Sequence, residues 1–338
     1  MSTATAPDES PARTGVLGLG SYLPSQVVTN DQLAEPAGVT EDWIVHKTGI
    51  LTRRAVKPDE ATSDLALGAA RAALEDAGIR AADLSLVIVG TATPDVIGPC
   101  VASQVALALD CPRTVGTFDI QAACAGFLTG ISVAEKYLRG AGGYALVIGA
   151  DTYSRFRNHA DKRTTALWGD GAGAVVLGPV PDGRGEILAT RLASCPVETE
   201  VGGIRAGGSR LPASHETVDA GLHYVSMNGR RIMEIFVENV PPMVRSFLDD
   251  AGHRLEDIDH IVPHQGNQRM VEGLPALLGC TRPALHATAF EYGNTGSASI
   301  PVTLDRAVRK GAIRSGETVL TLSIGAGMTF GFALLRWK

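Results

Sequence analysis

Residues 73–89, ALEDAGIRAADLSLVIV, align without gaps on residues 247–263, FLDDAGHRLEDIDHIVP, 174 positions further along the chain. Six of the seventeen positions are identical: Leu74/Leu248, Asp76/Asp250, Ala77/Ala251, Gly78/Gly252, Arg80/Arg254 and Asp83/Asp257. Each copy reads as a helix end, a glycine stop, an acidic turn and an apolar strand. Such a pattern can recur by chance in an α/β chain, so the next elements decide. EKYLRGAGGYALVIGAD (135–151) resembles DRAVRKGAIRSGETVLTLSIGAG (305–327), each a helix end, a short link and an apolar strand. Duplication of a whole half is therefore favoured. Sliding the copies together sets Cys124 against Asn294 or Thr295, and two halves packed back to back would bring those helix starts to one shared site.

From residue 14 onward, glycine-marked strands alternate with alanine-rich helical patterns, which predicts an α/β fold with helices covering a largely buried sheet. TSDLALGAARAALEDAG (62–78) opens with capping residues, carries apolar residues at helical spacing and stops at Gly78. LSLVIVGTAT, which follows, reads as a strand buried on both faces. In the second half Pro241 and Pro242 predict two helices with a break between them. Residues 195–225, rich in Gly, Ser and Pro, read as a long surface excursion of the kind that shapes binding sites. The expected organisation is a disordered polar tail over 1–13, one half over 14–181 and the other over 182–338.

Composition closes several routes. A formal charge of −6 without clustered Lys/Arg argues against a nucleic-acid partner. No run of about 18 apolar residues could cross a bilayer, and MSTATAPDESPAR lacks the apolar stretch of a signal peptide. A cytoplasmic protein is the expectation. The five cysteines are widely spaced, odd in number and without a C-x-x-C pair, which indicates neither a disulfide framework nor a metal site.

One of them, Cys124, stands in DIQAACAGF where a helical pattern begins. A thiol there meets the positive end of the helix dipole, which lowers its pKa, and its small neighbours leave room for a substrate. Taken alone, a cysteine between alanines is more often a small buried core residue. The balance turns on partners. His264, in VPHQGNQR, follows directly on an apolar strand, at the strand end where open α/β sheets bind ligands, and is the candidate base. His260, four residues earlier, reads as a surface residue; along a strand the two rings stand roughly 13 Å apart, too far for one metal ion. Asn294, in a glycine-flanked turn before a helix, is a candidate donor and also a common turn residue. GLGSYL (18–23) and GDGAGAVVLG (169–178) fail the dinucleotide fingerprint, the first for want of a third glycine and the second for leading into a strand; both read as tight turns beside packed strands.

The segments GLGSYLPSQVVTN, DWIVHKTGI, DIQAACAGF, WGDGAGAVVLG, VPHQGNQR, GNTGSASIP and IGAGMTFG, in this order, resemble a β-ketoacyl-acyl-carrier-protein synthase III, across residues 15–336. The resemblance implies a thiolase fold, with two pseudo-symmetric halves in an α-β-α-β-α layering, and a homodimer. It implies a Cys124-His264-Asn294 site with the N–H groups of Cys124 and Ala326 as oxyanion hole. The implied reaction is a decarboxylating Claisen condensation: Cys124 takes an acyl group from acyl-CoA, and a malonyl group on acyl carrier protein adds to it. No cofactor beyond these thioester substrates is implied. CoA contacts fall on Trp43, Lys47, Lys162, Arg163, Gly229 and Asn267, and carrier-protein docking on Arg269.

The chain departs from the family pattern where the thioesters bind. Lys47 and Lys162 stand where the family has arginines, which loses the planar bidentate fork and implies weaker CoA binding or a carrier-protein donor. VEGLPALLG, after Arg269, lacks the usual lysines. Gly98 replaces a bulky pocket residue, which implies a larger acyl pocket. These changes keep open an acyl transfer to a hydroxyl, amine or second carrier protein, and a silent acyl-carrier-binding scaffold of the same fold. A degradative thiolase would need a second cysteine near the C-terminal glycine turn, and none follows Cys280.

Overall fold

The computed structural model describes residues 13–180, 185–196 and 200–338. The expected tail over 1–12 and the expected boundary between 181 and 182 lie outside the described residues. Arg13, assigned to the tail, is held: its guanidinium donates to Glu186 at 2.6 Å and its carbonyl accepts Val180 N–H at 2.8 Å.

In chain order the strands are β1 (Thr14–Tyr22), β2 (Gln26–Thr29), β3 (Thr52–Ala55), β4 (Leu84–Gly90), β5 (Gly116–Ile120), β6 (Tyr144–Thr152) and β7 (Asp170–Pro179). They continue with β8 (Glu186–Ser194), β9 (Gly202–Gly203), β10 (Ser226–Met227), β11 (His260–Pro263), β12 (Ala284–Leu285), β13 (Thr318–Gly325) and β14 (Thr329–Arg336). Ten of them form one sheet, ordered β12-β11-β13-β14-β8-β1-β7-β6-β4-β5. Read inward from either end, the order is the same: β5-β4-β6-β7-β1 and β12-β11-β13-β14-β8. The duplication is thus written into the topology, and the halves are joined at one register pair, Gly15 with Glu186.

Between the halves lie helices Gly126–Ala141 and Ser299–Arg309. Their residues Leu128, Ile131, Ile300 and Leu304 share a core with Val147 and Val175 of one half and with Val262 and Val319 of the other. Helix Thr62–Ala77 covers the outer face of the first half, and helix Gly229–Asp250 that of the second. The repeated acidic turns become equivalent 3-10 turns, Ala81–Asp83 and Leu255–Asp257, after the left-handed stops at Gly78 and Gly252.

GLGSYL is no turn; residues 18–22 of it lie inside β1 and Leu23 follows directly. Its glycines exist because helix 62–77 lies directly on the strand: a Cβ on Gly20 would sit 2.3 Å from Ala73 N and 2.5 Å from Ala69 O. Backbone atoms cannot step aside, so Gly20→Ala is expected to cost about 3 kcal/mol in chemical denaturation. Gly208→Ala, where a Cβ meets nothing within 4 Å, is the control and should leave the midpoint unmoved. GDGAGAVVLG is likewise strand, β7.

The break expected at Pro241 and Pro242 is absent, and one helix runs from Gly229 to Asp250. Two N–H donors are lost, yet Phe236, Val240, Val244, Phe247 and Leu248 line one buried face. Each such side chain contributes roughly 1.5–3 kcal/mol, enough to carry the helix through. Of the excursion 195–225, the residues 197–199 lie outside the described ones. The remainder holds a short helix, His215–Asp219, and is anchored rather than draped: Val225 packs with Ile50, Tyr153, Leu167 and Trp168.

Candidate active site

Cys124 sits in a 3-10 turn, Ala123–Ala125, that runs into helix 126–141. Ala123 adopts φ +45°, a left-handed conformation that costs a residue with a Cβ about 1–2 kcal/mol. Strain of this kind is maintained by surrounding contacts. Thr329 Oγ1 donates to Ala122 O at 3.0 Å, and Gly325 lies so close that a Cβ there would be 2.7 Å from Ala122 O and 3.0 Å from Cys124 N. The motif IGAG is therefore glycine where the nucleophile turn rests on the end of β13. Ala326 follows directly, and its N–H has no acceptor among the described residues. It is thus available as an oxyanion donor beside Cys124.

The second half contributes an equivalent turn, Gly296–Ala298, running into helix 299–309 and packed against the first. The residue opposite Cys124 is therefore Ser297, not Asn294 or Thr295 as the alignment set it. Asn294 lies just before that turn. Its N–H donates to Leu167 O at 2.7 Å, its carbonyl accepts Gly169 N–H at 3.0 Å, and its Oδ1 accepts Gly296 N–H at 2.9 Å. Leu167 and Gly169, on either side of Trp168, thereby clamp Asn294 through the backbone. The Oδ1 bond fixes the amide so that Nδ2 is the free edge, with no acceptor among the described residues. His264, at the end of β11, bonds through Nδ1 to Ser299 Oγ at 2.8 Å. His264 and Asn294 are thus both tied to the segment 294–299, which packs on the Cys124 turn.

All three side chains are buried, and burial sets their chemistry. It pushes the Cys124 thiol well above the ordinary range, with the buried carboxylate of Asp151 adding to the effect. The expected lowering by the helix dipole is outweighed, because desolvation of a thiolate exceeds what one helix end supplies. Burial also lowers His264 from 6.5 to about 4, so its imidazole is neutral at physiological pH, a weak base and a good donor.

Asp151, Gln265 and Ser299 are site residues that sequence reasoning missed. Asp151 Oδ1 accepts Ala92 N–H at 2.8 Å and the hydroxyls of Thr91 and Thr93, while Oδ2 accepts Ser297 N–H at 2.7 Å. It ties the two halves together beneath Cys124, and burial raises it from 3.8 to about 6. The signal for Asp151 was its place at the end of a repeated strand. Gln265 and Ser299 adjoin recognised residues in VPHQ and GSAS.

His260 is not a surface residue: 6% exposed, it bonds His286 at 3.0 Å and Glu317 at 2.8 Å. The Glu317 carboxylate and His286 ring supply partners from other elements that the local sequence could not show. Among the described residues no three His, Cys, Asp or Glu side chains could hold a metal ion.

The expected thioester-binding residues gather in part. Lys162 Nζ stands 6.0 Å from the Trp43 ring centroid, and Lys47 is exposed in the last turn of the same helix, Glu41–Thr48. Arg269 reaches that helix, donating to Val45 O at 3.4 Å, but also pairs with Glu272 at 3.1 Å; Arg163 pairs with Asp161 at 3.0 Å. Asn267 caps helix Gln268–Leu278 through Met270 N–H, and Gly229 opens helix 229–250. Gly98 is exposed, beside Ile97, itself 91% exposed.

Comparison with known proteins agrees with this geometry. Residues 118–196 match the family 3-oxoacyl-[acyl-carrier-protein (ACP)] synthase III, and residues 248–337 match the C-terminal part of that synthase. An acetoacetyl CoA synthase from Streptomyces sp. (strain CL190) is 45% identical over 326 residues, covering 96% of this chain and 99% of that one. The crystal structure of the 3-oxoacyl-[acyl-carrier-protein] synthase III from Aquifex aeolicus VF5 superposes with a TM-score of 0.86. It is 33% identical over 96% of this chain and 100% of that one. The priming β-ketosynthase of the R1128 polyketide pathway gives 0.87 at 32% identity, over 98% and 99%. A doubled thiolase fold with a cysteine on one of its paired turns, an asparagine just before the other and a histidine tied to that same segment, and this similarity along nearly the whole length, place the chain in the 3-oxoacyl-[acyl-carrier-protein] synthase III family of condensing enzymes.

Proposed function

We propose that the protein condenses an acyl group from acyl-CoA with malonyl-acyl carrier protein, releasing carbon dioxide and a β-ketoacyl thioester. The observation that carries this reading is a buried thiol on one of two paired turns, with an oriented asparagine and a neutral histidine both tied to the segment that holds the other turn. Cys124 sulfur forms a thioester with the acyl carbon while the carbon–sulfur bond to CoA breaks; the thiol proton leaves with CoA. Charge on the carbonyl oxygen falls to the N–H groups of Cys124 and Ala326. The malonyl thioester then enters. Its carboxylate leaves as carbon dioxide, and the electron pair moves into an enolate whose oxygen accepts hydrogen bonds from His264 and Asn294. The enolate carbon attacks the acyl-cysteine, and the sulfur of Cys124 leaves and regains a proton.

A second reading keeps the chemistry and changes the carrier: the malonyl group arrives on CoA. Arg163 and Arg269 are each paired with a neighbouring carboxylate, so neither offers an unpaired guanidinium to an acidic carrier protein. The name of the Streptomyces relative, an acetoacetyl CoA synthase, agrees with that reading. Lys162 over Trp43 suits CoA in either case.

A homodimer is part of the proposal. The edge strand β5 carries the exposed Phe118, and Val96, Ile97 and Leu107 expose apolar surface near it; edges of this kind are ordinarily paired. In such a dimer the loop of Gly98 meets the partner, where the missing side chain would enlarge its acyl pocket. Cytoplasmic action fits the five free cysteines and the thioester substrates. No helix among the described residues is long and apolar enough to cross a membrane.

Intact-mass analysis with a panel of acyl-CoAs, followed by malonyl-acyl carrier protein or malonyl-CoA and assay of carbon dioxide, tests the reading. An acyl adduct that discharges with carbon dioxide release is expected, and the carrier that discharges it decides between the two forms. Discharge without carbon dioxide would replace condensation by simple transfer.

A further inference from the structure

Ser299 and Gln265 determine which nitrogen of His264 carries the proton. Ser299, 1% exposed at the start of helix 299–309, places Oγ 2.8 Å from His264 Nδ1, and the same Oγ accepts the Gln265 N–H at 3.3 Å. A serine hydroxyl has one proton and two lone pairs. If Nδ1 were protonated it would donate to Oγ alongside Gln265, and the hydroxyl proton would need a further acceptor. None stands within bonding distance of Ser299 Oγ among the described residues. A buried polar hydrogen without a partner is costly. The arrangement that satisfies every group has Oγ–H donating to Nδ1, which puts the imidazole proton on Nε2. No acceptor for Nε2 stands among the described residues, so that edge is free for a substrate.

The geometry is enforced from the other side by Gln265, also 1% exposed. Its Nε2 donates to Pro263 O at 2.7 Å and His286 O at 3.2 Å, and its Oε1 accepts the N–H groups of Thr288 at 2.8 Å and Ala289 at 3.1 Å. With all four bonds made, the backbone at 265 cannot swing its N–H away from Ser299. Ser299 O is held in turn by Thr303 Oγ1 at 2.7 Å. The cavity that the ring borders is lined by apolar side chains: helix 229–250 presents Phe236, helix 268–278 presents Met270 and Leu274, and β13 presents Leu322 and Ile324, so burial is what lowers the ring.

We propose that Ser299 is a positioning residue that fixes His264 as its Nε2–H tautomer, making a neutral imidazole the permanent donor to the malonyl thioester carbonyl. A serine donating to Nδ1 also stabilises the neutral ring, because an imidazolium has no lone pair there to accept it. The role in turnover rests on the condensation reading; the tautomer itself does not.

Two measurements test it. In protein labelled with nitrogen-15 histidine, with the His264 signals identified by their loss in His264→Gln, the wild-type ring should show an unprotonated Nδ1 and a protonated Nε2. A protonated Nδ1 overturns the proposal whatever the enzyme catalyses. In Ser299→Ala, carbon dioxide release from the malonyl thioester should fall roughly tenfold to a hundredfold in kcat, with KM within a few-fold. Loading of Cys124 should be unchanged, and the acid limb of the pH profile should move upward. Ser299→Thr, which keeps the hydroxyl, should restore most of the rate. A thermal midpoint near wild type shows that Ser299→Ala is folded, and a folded variant with unaltered kcat and acid limb would refute the proposal. Ser299→Thr that folds but stays as slow as Ser299→Ala would do the same.

Discussion

Cys124→Ala is expected to abolish acyl-enzyme formation with every acyl-CoA and to lower condensation by roughly four orders of magnitude. The other four thiols cannot substitute: Cys100, Cys111, Cys195 and Cys280 are spread over the chain and none adjoins the strained turn that presents residue 124. The variant keeps the fold, because alanine fills a site already lined by Ala122, Ala123 and Ala125. It also keeps His264 and Asn294, so slow decarboxylation of the malonyl thioester should persist, uncoupled from bond formation. Alkylation gives the companion result. Since burial and Asp151 hold the thiol above its ordinary range, free Cys124 should react slowly with iodoacetamide at neutral pH and faster as pH rises. Asp151→Asn should shift that profile to lower pH. An intact-mass adduct on Cys124→Ala after acyl-CoA treatment would disprove the assignment of the nucleophile.

His264→Ala separates the two half-reactions. Acylation of Cys124 should proceed at close to the wild-type rate, while carbon dioxide release falls about 10²- to 10³-fold, the usual loss when one donor to a developing oxyanion is removed. Asn294→Ala should act in the same sense. Because His264 is depressed from 6.5 to about 4, it stays neutral through mildly acidic conditions, and the decarboxylating step should hold its rate until the pH approaches 4. Stability follows the same group with a definite sign. The unfolded chain takes up the proton near pH 6.5 and the folded one only near pH 4, so stability is full above pH 6.5 and lost as pH falls through that interval. The loss is on the order of 3 kcal/mol. His286, also lowered to about 4, adds to the loss in the same direction. His264→Gln should flatten part of the acid-unfolding curve. Equal loss of acylation and decarboxylation in His264→Ala would show that the histidine serves the nucleophile rather than the enolate.

Much of this was legible in the chain itself. The doubled AG-stop and acidic turn at 76–83 and 250–257 determined that there are two equivalent halves, since the hydrophobic period and the glycine stop are local properties carried by the residues themselves. Cys124, His264 and Asn294 were identified because each sits at the boundary of a patterned element. Where local rules alone were applied, they failed against packing. Pro241 and Pro242 should end a helix, but one face of that helix is buried on the second half's outer core and keeps it whole. GLGSYL looked like a turn, but its glycines answer a helix lying on a strand. His260 looked exposed until Glu317 and His286 arrived from other elements.

What only the tertiary structure decided is the electrostatic state of the site. From sequence, a cysteine at a helix start is activated; in the fold, burial and Asp151 make it a reluctant thiol. From its place in the chain His264 is a candidate base, and only the family resemblance makes it a donor; in the fold, burial keeps it neutral and the Ser299 hydroxyl sets which nitrogen donates. The chain determined which residues meet, because pattern and repeat are written in one dimension. Desolvation and hydrogen-bond direction depend on what surrounds each group in three dimensions, and they decided what those residues can do.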